Sequence, residues 1–180
     1  MRTLRVGIIG AGGIARNHHV PSYQRCRDVS VVAACDVSEA ALATMKEQHH
    51  ITRLYRDYHE MLSSEELDLV SVCTSNDMHY PVAMAAMDAG LDVFCEKPLA
   101  LSLAQAREME ASATAHGTRT GVNFAHRRTP ASRLAREIIA SGALGTVHQF
   151  VAIYAAGGTG YADRPATWRN DRARAGFGGL

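Results

Sequence analysis

The chain has 180 residues, of which 47% are hydrophobic and 21% are charged, and its formal net charge is +1. This length accommodates one ordinary domain or one domain and part of another, and the near-neutral charge provides no attraction for nucleic acid or an acidic membrane surface. No apolar run is long enough for a membrane span, and the first apolar segment is too short for a signal peptide, so we expect a cytoplasmic protein without nucleic-acid or membrane partners.

Short apolar segments that alternate with helical patterns organise the first two thirds of the chain. Each segment is apolar on both faces, which is typical of parallel strands covered by helices on both sides. Five segments have this pattern: LRVGIIG (residues 4–10), VSVVAAC (29–35), DLVSVC (68–73), LDVFC (91–95) and TRTGVNF (118–124). They predict the strands of a parallel sheet.

Four helical patterns lie between these segments. The first runs from Ile14 to about Arg27, and the second follows Ser38, a favourable N-cap. The third covers residues 80–90 and is closed by Gly90, and the fourth runs from the N-cap Ser102 to Gly117. This alternation of strands and helices predicts right-handed crossovers and a doubly wound α/β domain over residues 1–121.

The pattern changes after residue 121. A loop precedes a helix that starts near Pro130, and TVHQFVAIYAA (residues 146–156) then predicts one long strand. The last stretch is rich in Gly and Arg and has no period. Because an apolar strand with no later partner leaves an open edge, we expect it to pair with another chain or with the first sheet, or the polypeptide to be part of a larger protein.

The four cysteines have spacings typical of neither a zinc site nor a disulfide framework. Cys35, Cys73 and Cys95 end apolar runs, so we interpret them as small buried hydrophobic residues. For Cys95 alone, a reactive thiol near a ligand stays open as an alternative. His18 and His19 lie in the first predicted helix without metal-ligand spacing, and we interpret them as packing or surface residues.

A glycine-rich turn joins the first predicted strand to the first predicted helix. It has the pattern Gly10-x-Gly12-x-x-Ala15. The first glycine permits a tight turn, the second lets the backbone approach a diphosphate, and the small alanine allows close packing of helix and strand. Since free N–H groups and the helix dipole attract phosphates, the turn predicts a dinucleotide-binding site of the Rossmann type.

An acidic residue at the end of the second strand supports this prediction. Asp36 follows the turn by just over twenty residues, and its carboxylate can accept both ribose hydroxyls of an adenosine. It would also repel a 2′-phosphate, so NAD is favoured over NADP. Arg53 is a cation that could still reach this site, and a surface aspartate on a strand-to-helix turn is the alternative interpretation of Asp36.

Polar side chains also follow two later strands. The segment TSNDMH (residues 74–79) follows one, and Glu96, Lys97 and Pro98 follow another. Because the carboxyl ends of parallel strands face one crevice, Lys97 lies where the nicotinamide and substrate would meet and can help move the substrate hydroxyl proton. Glu96 could orient Lys97 or the cofactor amide. The Lys97–Pro98 peptide bond is a candidate for the cis form. A surface salt bridge before a helix is the alternative.

Several motifs together resemble one known family. They are GAGGIA, CD, TSNDMHYPVAMAAMDAGLDVFCEKPLALSLAQA, VNFAHRRTP and SGALGTVHQF, and their order and spacing cover nearly the whole chain. The chain resembles the Gfo/Idh/MocA oxidoreductases, which are named for glucose–fructose oxidoreductase, inositol dehydrogenase and a rhizopine-catabolism protein. By this resemblance Lys97 is the catalytic lysine.

The resemblance also implies roles for residues outside the glycine turn. Asn76 and His79 match the family's N-x-x-H segment near the ribose and nicotinamide, although a helix-capping role for His79 stays open. Arg127 matches the arginine of an R-x-x-P segment, and Trp168-Arg169 resembles a pair that approaches the cofactor, with simple packing as the alternative for Trp168. The predicted cofactor-binding residues are Gly10, Gly12, Gly13, Ile14, Ala15, Asp36, Thr74, Ser75, Asn76, His79, Glu96, Lys97, Pro98, Arg127, Trp168 and Arg169.

The resemblance further implies an NAD(P)-dependent oxidoreductase that transfers a hydride between a nicotinamide cofactor and a sugar, polyol or inositol-like secondary alcohol. Residues 1–121 would bind the cofactor. Residues 122–180 would be the N-terminal part of an α+β substrate and dimerisation domain whose antiparallel sheet is mostly missing. Family members continue from GGL into an Asp-x-Gly-x-x-x-His type segment, so a non-catalytic dinucleotide-binding or regulatory protein, or a cofactor-binding fragment, stays open as the alternative.

Overall fold

The computed structural model describes residues 2–153 and 167–176. Its centre is a six-stranded sheet with the strand order β3-β2-β1-β4-β5-β6, and every neighbouring pair of strands is parallel. The order reverses direction between β1 and β4, which is the arrangement of a doubly wound Rossmann fold. The strands are β1 (Leu4–Ile9), β2 (Val29–Cys35), β3 (Arg53–Tyr55), β4 (Leu69–Val72), β5 (Asp92–Cys95) and β6 (Thr120–Val122).

Helices connect the strands and cover both faces of the sheet. Buried apolar side chains form two clusters, one centred on β4, β5 and the helices after them, and one on β1 and the helices after β1 and β2. The α-helices are α1 (Val20–Gln24), α2 (Glu39–His49), α3 (Tyr58–Ser64), α4 (Asn76–Asp88), α5 (Leu103–His116), α6 (Pro130–Ala140) and α7 (Arg172–Ala175). None of the helices within the described ranges has the length and apolarity to cross a membrane.

The caps that the sequence predicts are present. The Ser38 hydroxyl accepts a hydrogen bond from the Ala41 N–H at 3.3 Å, and the Ser102 hydroxyl accepts one from the Gln105 N–H at 3.2 Å. Gly117 ends α5 with a left-handed φ of 65°. These local signals fix where α2 and α5 begin and where α5 ends, and so they place the loops at the edge of the sheet.

The first helix differs from the single α-helix predicted between Ile14 and Arg27. Residues Ala15–His19 form a π-helical turn, and α1 continues from Val20 to Gln24. The wider turn changes which side chains face inward: His19 is buried, whereas His18 is exposed. His18 is thus a surface residue and His19 a packing residue, as interpreted from the sequence, but His19 also forms buried hydrogen bonds that the sequence did not predict.

The long strand predicted from Thr146 is wrong for the part that the structure describes. Residues 146–153 form no strand, and they include exposed side chains such as Phe150 and Ile153. A strand requires a hydrogen-bonded neighbour, and none of the six strands pairs with this segment. Residues 154–156 of the predicted strand lie outside the described residues.

The described residues form two compact units. Residues 2–123 and 168–176 belong to one unit, and residues 124–153 belong to the other. In the first unit, α7 packs on α4, where the Asn76 side-chain amide donates to the Ala175 carbonyl at 2.9 Å. In the second unit, the Thr129 hydroxyl caps α6 by accepting from the Ser132 N–H at 3.4 Å.

Candidate functional site

The carboxyl ends of β1, β2, β4 and β5 meet at one edge of the sheet. Because all the strands are parallel, the loop after each strand emerges at this edge. The reversal of strand order between β1 and β4 opens a crevice there, where ligands of doubly wound folds bind. The residues predicted from the sequence follow these four strands, so the fold brings most of them to the same edge.

Two glycines of the turn after β1 differ in whether the protein itself requires a glycine at that position. Gly10 has a φ of 94°, and a Cβ atom there would lie 2.5 Å from the carbonyl carbon of Cys73, so only glycine fits. A Cβ atom added at Gly12 would meet no atom within 4 Å. The protein itself therefore does not require glycine at position 12, which leaves open space over the backbone where a diphosphate could approach. Ala15 is fully buried between the turn and the sheet.

Asp36, at the end of β2, fastens the glycine turn. Its Oδ2 accepts a hydrogen bond from the Ala11 N–H at 2.7 Å, and its Oδ1 accepts one from the Ser38 N–H at 2.9 Å. Each carboxylate oxygen has further acceptor capacity, so the oriented carboxylate can still receive ribose hydroxyls.

Arg53, the cation considered above as a possible contact for the 2′-phosphate of NADP, is bound to Glu65 in the structure. Arg53 Nη1 donates to Glu65 Oε2 at 2.6 Å, and the Tyr55 hydroxyl donates to the other oxygen of the same carboxylate. Arg53 is thereby committed to Glu65, a buried residue. Burial raises the pKa of Glu65, but the hydrogen bonds from Tyr55 and Arg53 outweigh it and lower that pKa.

The end of β4 supplies Thr74, Ser75 and Asn76. The Thr74 Oγ1 atom is buried and has no hydrogen-bond partner in the structure. An unpaired buried hydroxyl is costly, and its place beside Gly10 makes it a ready donor or acceptor for a bound group. Ser75 Oγ accepts from Arg174 at 3.2 Å, and the Asn76 amide is committed to Ala175, so α7 occupies both of these side chains.

His79 joins the loop after β4 to the loop after β5. It is 1% exposed, and its Nδ1 lies 2.6 Å from the Pro98 carbonyl oxygen while its Nε2 lies 3.3 Å from the Thr74 carbonyl oxygen. Both neighbours are acceptors, and the shorter contact assigns the proton of a neutral ring to Nδ1. In this structure His79 supports the backbone of both loops, and its contact with the ribose and nicotinamide stays a prediction.

Glu96, after β5, is a buried carboxylate that accepts three hydrogen bonds. Its Oε1 receives His19 Nε2 at 2.8 Å and Asn123 Nδ2 at 2.6 Å, and its Oε2 receives the Lys97 N–H at 3.2 Å. Burial raises the pKa of Glu96, but the hydrogen bonds from His19 and Asn123, together with the charge interaction with His19 and the Lys97 N–H, lower the pKa to about 2. Glu96 is thus an anion held in place by hydrogen bonds, and it contacts the main chain of Lys97 through Oε2.

Lys97 is exposed at the end of β5, and the peptide bond between Lys97 and Pro98 is cis. Among the described residues no carboxylate forms an ion pair with Lys97. The alternative of a surface salt bridge therefore has no support here, and the amine is free to meet a ligand in the crevice.

The remaining predicted residues lie farther along the chain. Arg127 is exposed in a 3-10 turn, Ala125–Arg128, of the second unit. Trp168 and Arg169 begin another 3-10 turn, Trp168–Asn170, in the first unit, and the Arg169 guanidinium carbon lies 4.4 Å from the centre of the Trp168 ring. That distance is typical of a cation–π pair.

Sequence reasoning missed His19 and Asn123 as parts of the site. No spacing rule marks them, because His19 turns inward only through the π-helical turn and Asn123 follows the short edge strand β6. Both side chains donate to the Glu96 carboxylate, although His19 is 77 residues and Asn123 is 27 residues away from Glu96 in the sequence.

The fold and this edge define a dinucleotide-binding α/β protein. Residues 4–124 match the family described as an oxidoreductase family with an NAD-binding Rossmann fold. The chain belongs to this Gfo/Idh/MocA family, and its first unit is an NAD-binding Rossmann fold.

Relatives with known structures or activities agree with this assignment. The chain is 36% identical over 145 residues to D-glucoside 3-dehydrogenase of Escherichia coli, covering 81% of this chain and 41% of the relative. It is 34% identical to D-apiose dehydrogenase of Paraburkholderia graminis, covering 81% and 39%. The crystal structure of myo-inositol 2-dehydrogenase from Lactobacillus plantarum superposes with a TM-score of 0.77 at 29% identity, covering 81% and 43%. The chain therefore spans about two fifths of the length of these relatives.

The residues present fit a bound NAD. The open space over Gly12, the unpaired Thr74 hydroxyl and the oriented Asp36 carboxylate are separate features, and all three lie on loops at the same edge of the sheet. Glycine 12 leaves room for a diphosphate and Asp36 can accept ribose hydroxyls.

Proposed function

We propose that the protein is an NAD-dependent oxidoreductase that transfers a hydride between the nicotinamide ring and a sugar, polyol or inositol-like secondary alcohol. NAD is preferred over NADP, because the carboxylate of Asp36 would repel a 2′-phosphate and Arg53 is committed to Glu65. The names of the relatives, which include dehydrogenases of a glucoside, apiose and inositols, support this substrate class.

The observation that carries the proposal is the combination of features at one sheet edge. The open Gly12 turn, the Asp36 carboxylate and the exposed Lys97 amine follow β1, β2 and β5, respectively. Residues that bind a diphosphate and a ribose thus share an edge with a side chain able to move a proton.

Each of these residues has a separate task in the proposed reaction. Bound NAD supplies the carbon that accepts the hydride. Asp36 holds the adenosine ribose, and the backbone from Gly10 to Ala15 holds the diphosphate. Lys97 hydrogen-bonds the substrate hydroxyl and helps move its proton as the hydride leaves the carbon, while Glu96 holds the Lys97 main chain.

The proposal extends to the organisation of the protein. Residues 1–121 form the cofactor domain, and residues 122–180 contribute to a substrate and dimerisation domain, except for residues 168–176, which pack on α4 of the first unit. Arg127, Trp168 and Arg169 contact the cofactor or substrate from that part of the chain. A cytoplasmic location and a homo-oligomeric state belong to the same proposal.

Fluorescence titration with NADH and NADPH tests cofactor binding by the chain itself. Wild type is expected to bind NADH more tightly than NADPH. Asp36→Asn, which removes an ionised acceptor of the ribose hydroxyls, is expected to weaken NADH binding about tenfold. Glu39→Gln is the matched control, because Glu39 is a nearby carboxylate whose side chain is 78% exposed. No binding of either cofactor by folded wild type would refute the proposal.

Turnover is tested by following NADH formation with NAD and a panel of aldoses, glucosides and inositols. Lys97→Ala is expected to keep NADH affinity and to lower the rate at least about a hundredfold. An unchanged rate would refute the catalytic role of Lys97. Cofactor binding without turnover of any alcohol would instead indicate a non-catalytic dinucleotide-binding protein.

A further inference from the structure

A buried polar cluster lies beneath the loop that carries Lys97. It consists of His19, Ser71, Glu96 and Asn123, and we call it the His19 cluster. Its residues come from the π-helical turn, from β4 and from the ends of β5 and β6. His19, Ser71 and Glu96 are 5%, 0% and 7% exposed, so the cluster is shielded from water.

The hydrogen bonds to Glu96 fix the donor roles of His19 Nε2 and Asn123 Nδ2. Glu96 is ionised, so His19 Nε2 carries a proton and donates to Oε1 at 2.8 Å. Asn123 Nδ2 donates to the same oxygen at 2.6 Å, and its 3.3 Å contact with His19 Nε2 therefore joins two donors and is no hydrogen bond. His19 Nδ1 lies 2.9 Å from Ser71 Oγ, and Ser71 Oγ accepts a hydrogen bond from the Tyr23 hydroxyl at 3.2 Å.

Filling the interior between a helix and a sheet with polar side chains costs more free energy than filling it with apolar ones. A buried carboxylate is costly unless it is well paired, and apolar side chains of similar volume commonly stabilise a core at least as well. The position of the His19 cluster offers a reason beyond stability: the oxygen of Glu96 that His19 does not contact accepts the Lys97 N–H at 3.2 Å. Only the Glu96 carboxylate separates the imidazole from the Lys97 backbone.

The local helix geometry is consistent with a functional demand on His19. π-Helical turns are rare and often occur at functional sites. Here the turn Ala15–His19 follows the glycine turn directly and ends on His19. The imidazole also packs against Phe94 of β5, with ring centres 5.8 Å apart, so its plane is fixed from a second side.

We propose that His19 is a positioning residue that holds the Glu96 carboxylate and, through it, the main chain of Lys97 at the edge of the crevice. This inference rests on the proposed function, because it gives Lys97 its use there. His19 itself contacts neither cofactor nor substrate in this account. Its effect is to restrict the directions in which the Lys97 side chain leaves the backbone.

Two substitutions separate the bond to Glu96 from the bond to Ser71. The amide of His19→Gln reaches as far as imidazole Nε2, so it can still donate to Glu96. The amide of His19→Asn reaches only as far as Nδ1, so it can contact Ser71 but not Glu96. Both variants remove the ring, so a purely structural role predicts similar losses in both.

The readout is amide hydrogen exchange of Lys97, measured by NMR on the ¹⁵N-labelled chain, with Ala34 in β2 as the reference amide. His19→Asn is expected to speed Lys97 exchange about tenfold relative to Ala34, whereas His19→Gln stays within about threefold of wild type. The NADH-induced shift of the Lys97 amide is expected to be lost only in His19→Asn. Equal behaviour of the two variants at Lys97 would overturn the proposal.

A second variant keeps the test decisive if His19→Asn does not fold. Asn123→Ala removes the other donor to Glu96 Oε1 while His19 stays in place, and Lys97 exchange is expected to rise less than about threefold. A tenfold rise would assign the positioning role to Asn123 and overturn the proposal for His19. Failure of wild type to bind NADH would refute the proposed function instead, since the exchange measurement needs no cofactor.

Discussion

Replacing Glu96 by glutamine is expected to destabilise the protein at neutral pH but much less in acid. Glutamine has the shape of a protonated glutamate, so the variant resembles the wild type after Glu96 has taken up a proton. A pKa lowered from 4.5 to about 2 corresponds to about 3 kcal/mol of stabilisation by the ionised form. Partial solvent screening reduces our expectation to about 2 kcal/mol at pH 7.

The sign of the pH dependence follows from the lowered pKa. The unfolded chain binds the proton at a higher pH than the folded chain, so the stabilisation is complete above about pH 5 and is lost progressively as the pH falls from 4.5 toward 2. The difference in unfolding free energy between wild type and Glu96→Gln is therefore expected to shrink to less than about half between pH 7 and pH 3. The imidazole of His19 faces the same carboxylate, and its interaction with Glu96 is part of this difference.

Urea unfolding of wild type and variant at several pH values between 3 and 7 measures this difference. Glu66→Gln is the matched control, since the side chain of Glu66 is 91% exposed and pairs only with Arg5 at the surface. The control is expected to change stability by less than about 0.5 kcal/mol at every pH. A Glu96→Gln effect that stays constant from pH 7 to pH 3 would show that Glu96 is not an anion with a lowered pKa.

Two further predictions concern the glycine turn and the cysteines. Gly10→Ala is expected to cost about 3 kcal/mol or more, because its Cβ would lie 2.5 Å from the backbone of Cys73, whereas Gly12→Ala is expected to leave stability unchanged and to weaken NADH binding about tenfold. Thermal unfolding and NADH titration of both variants check this, and equal stability losses would contradict it. Burial raises the pKa of Cys35 and of Cys73 to about 12 and also raises that of Cys95, so a disulfide reagent at pH 8 is expected to modify only the exposed Cys26 before denaturation. Rapid modification of a second thiol would restore the alternative of a reactive Cys95.

The sequence predicted the parallel sheet because its central strands are buried on both faces. Val70 and Val72 of β4, for example, are fully buried, and so is Ser71 between them. The edge strand β3 and helix α3 were not predicted. β3 has only three residues and none of them is fully buried. A segment this short shows no recognisable hydrophobic periodicity.

The candidate site divides in the same way. Gly10 and Asp36 could be predicted because their tasks are local: a tight turn after a strand and a carboxylate at a strand end. The commitment of Asn76 to Ala175 could not, because it depends on the return of a segment 99 residues later. The inward turn of His19 depends on a change of helical register, which no pattern of residue types encodes.

The return of residues 168–176 to α4 has a consequence for the covalent architecture. The chain leaves the first unit after Asn123 and rejoins it at Trp168, so the intervening segment is an insertion held at both ends rather than a tail. A peptide bond cut within that insertion would not by itself release α7, because the Asn76–Ala175 hydrogen bond and the contact of Arg174 with Ser75 are noncovalent attachments independent of the cut. Two attachment points also remove more conformational entropy from the inserted segment than a single tether would.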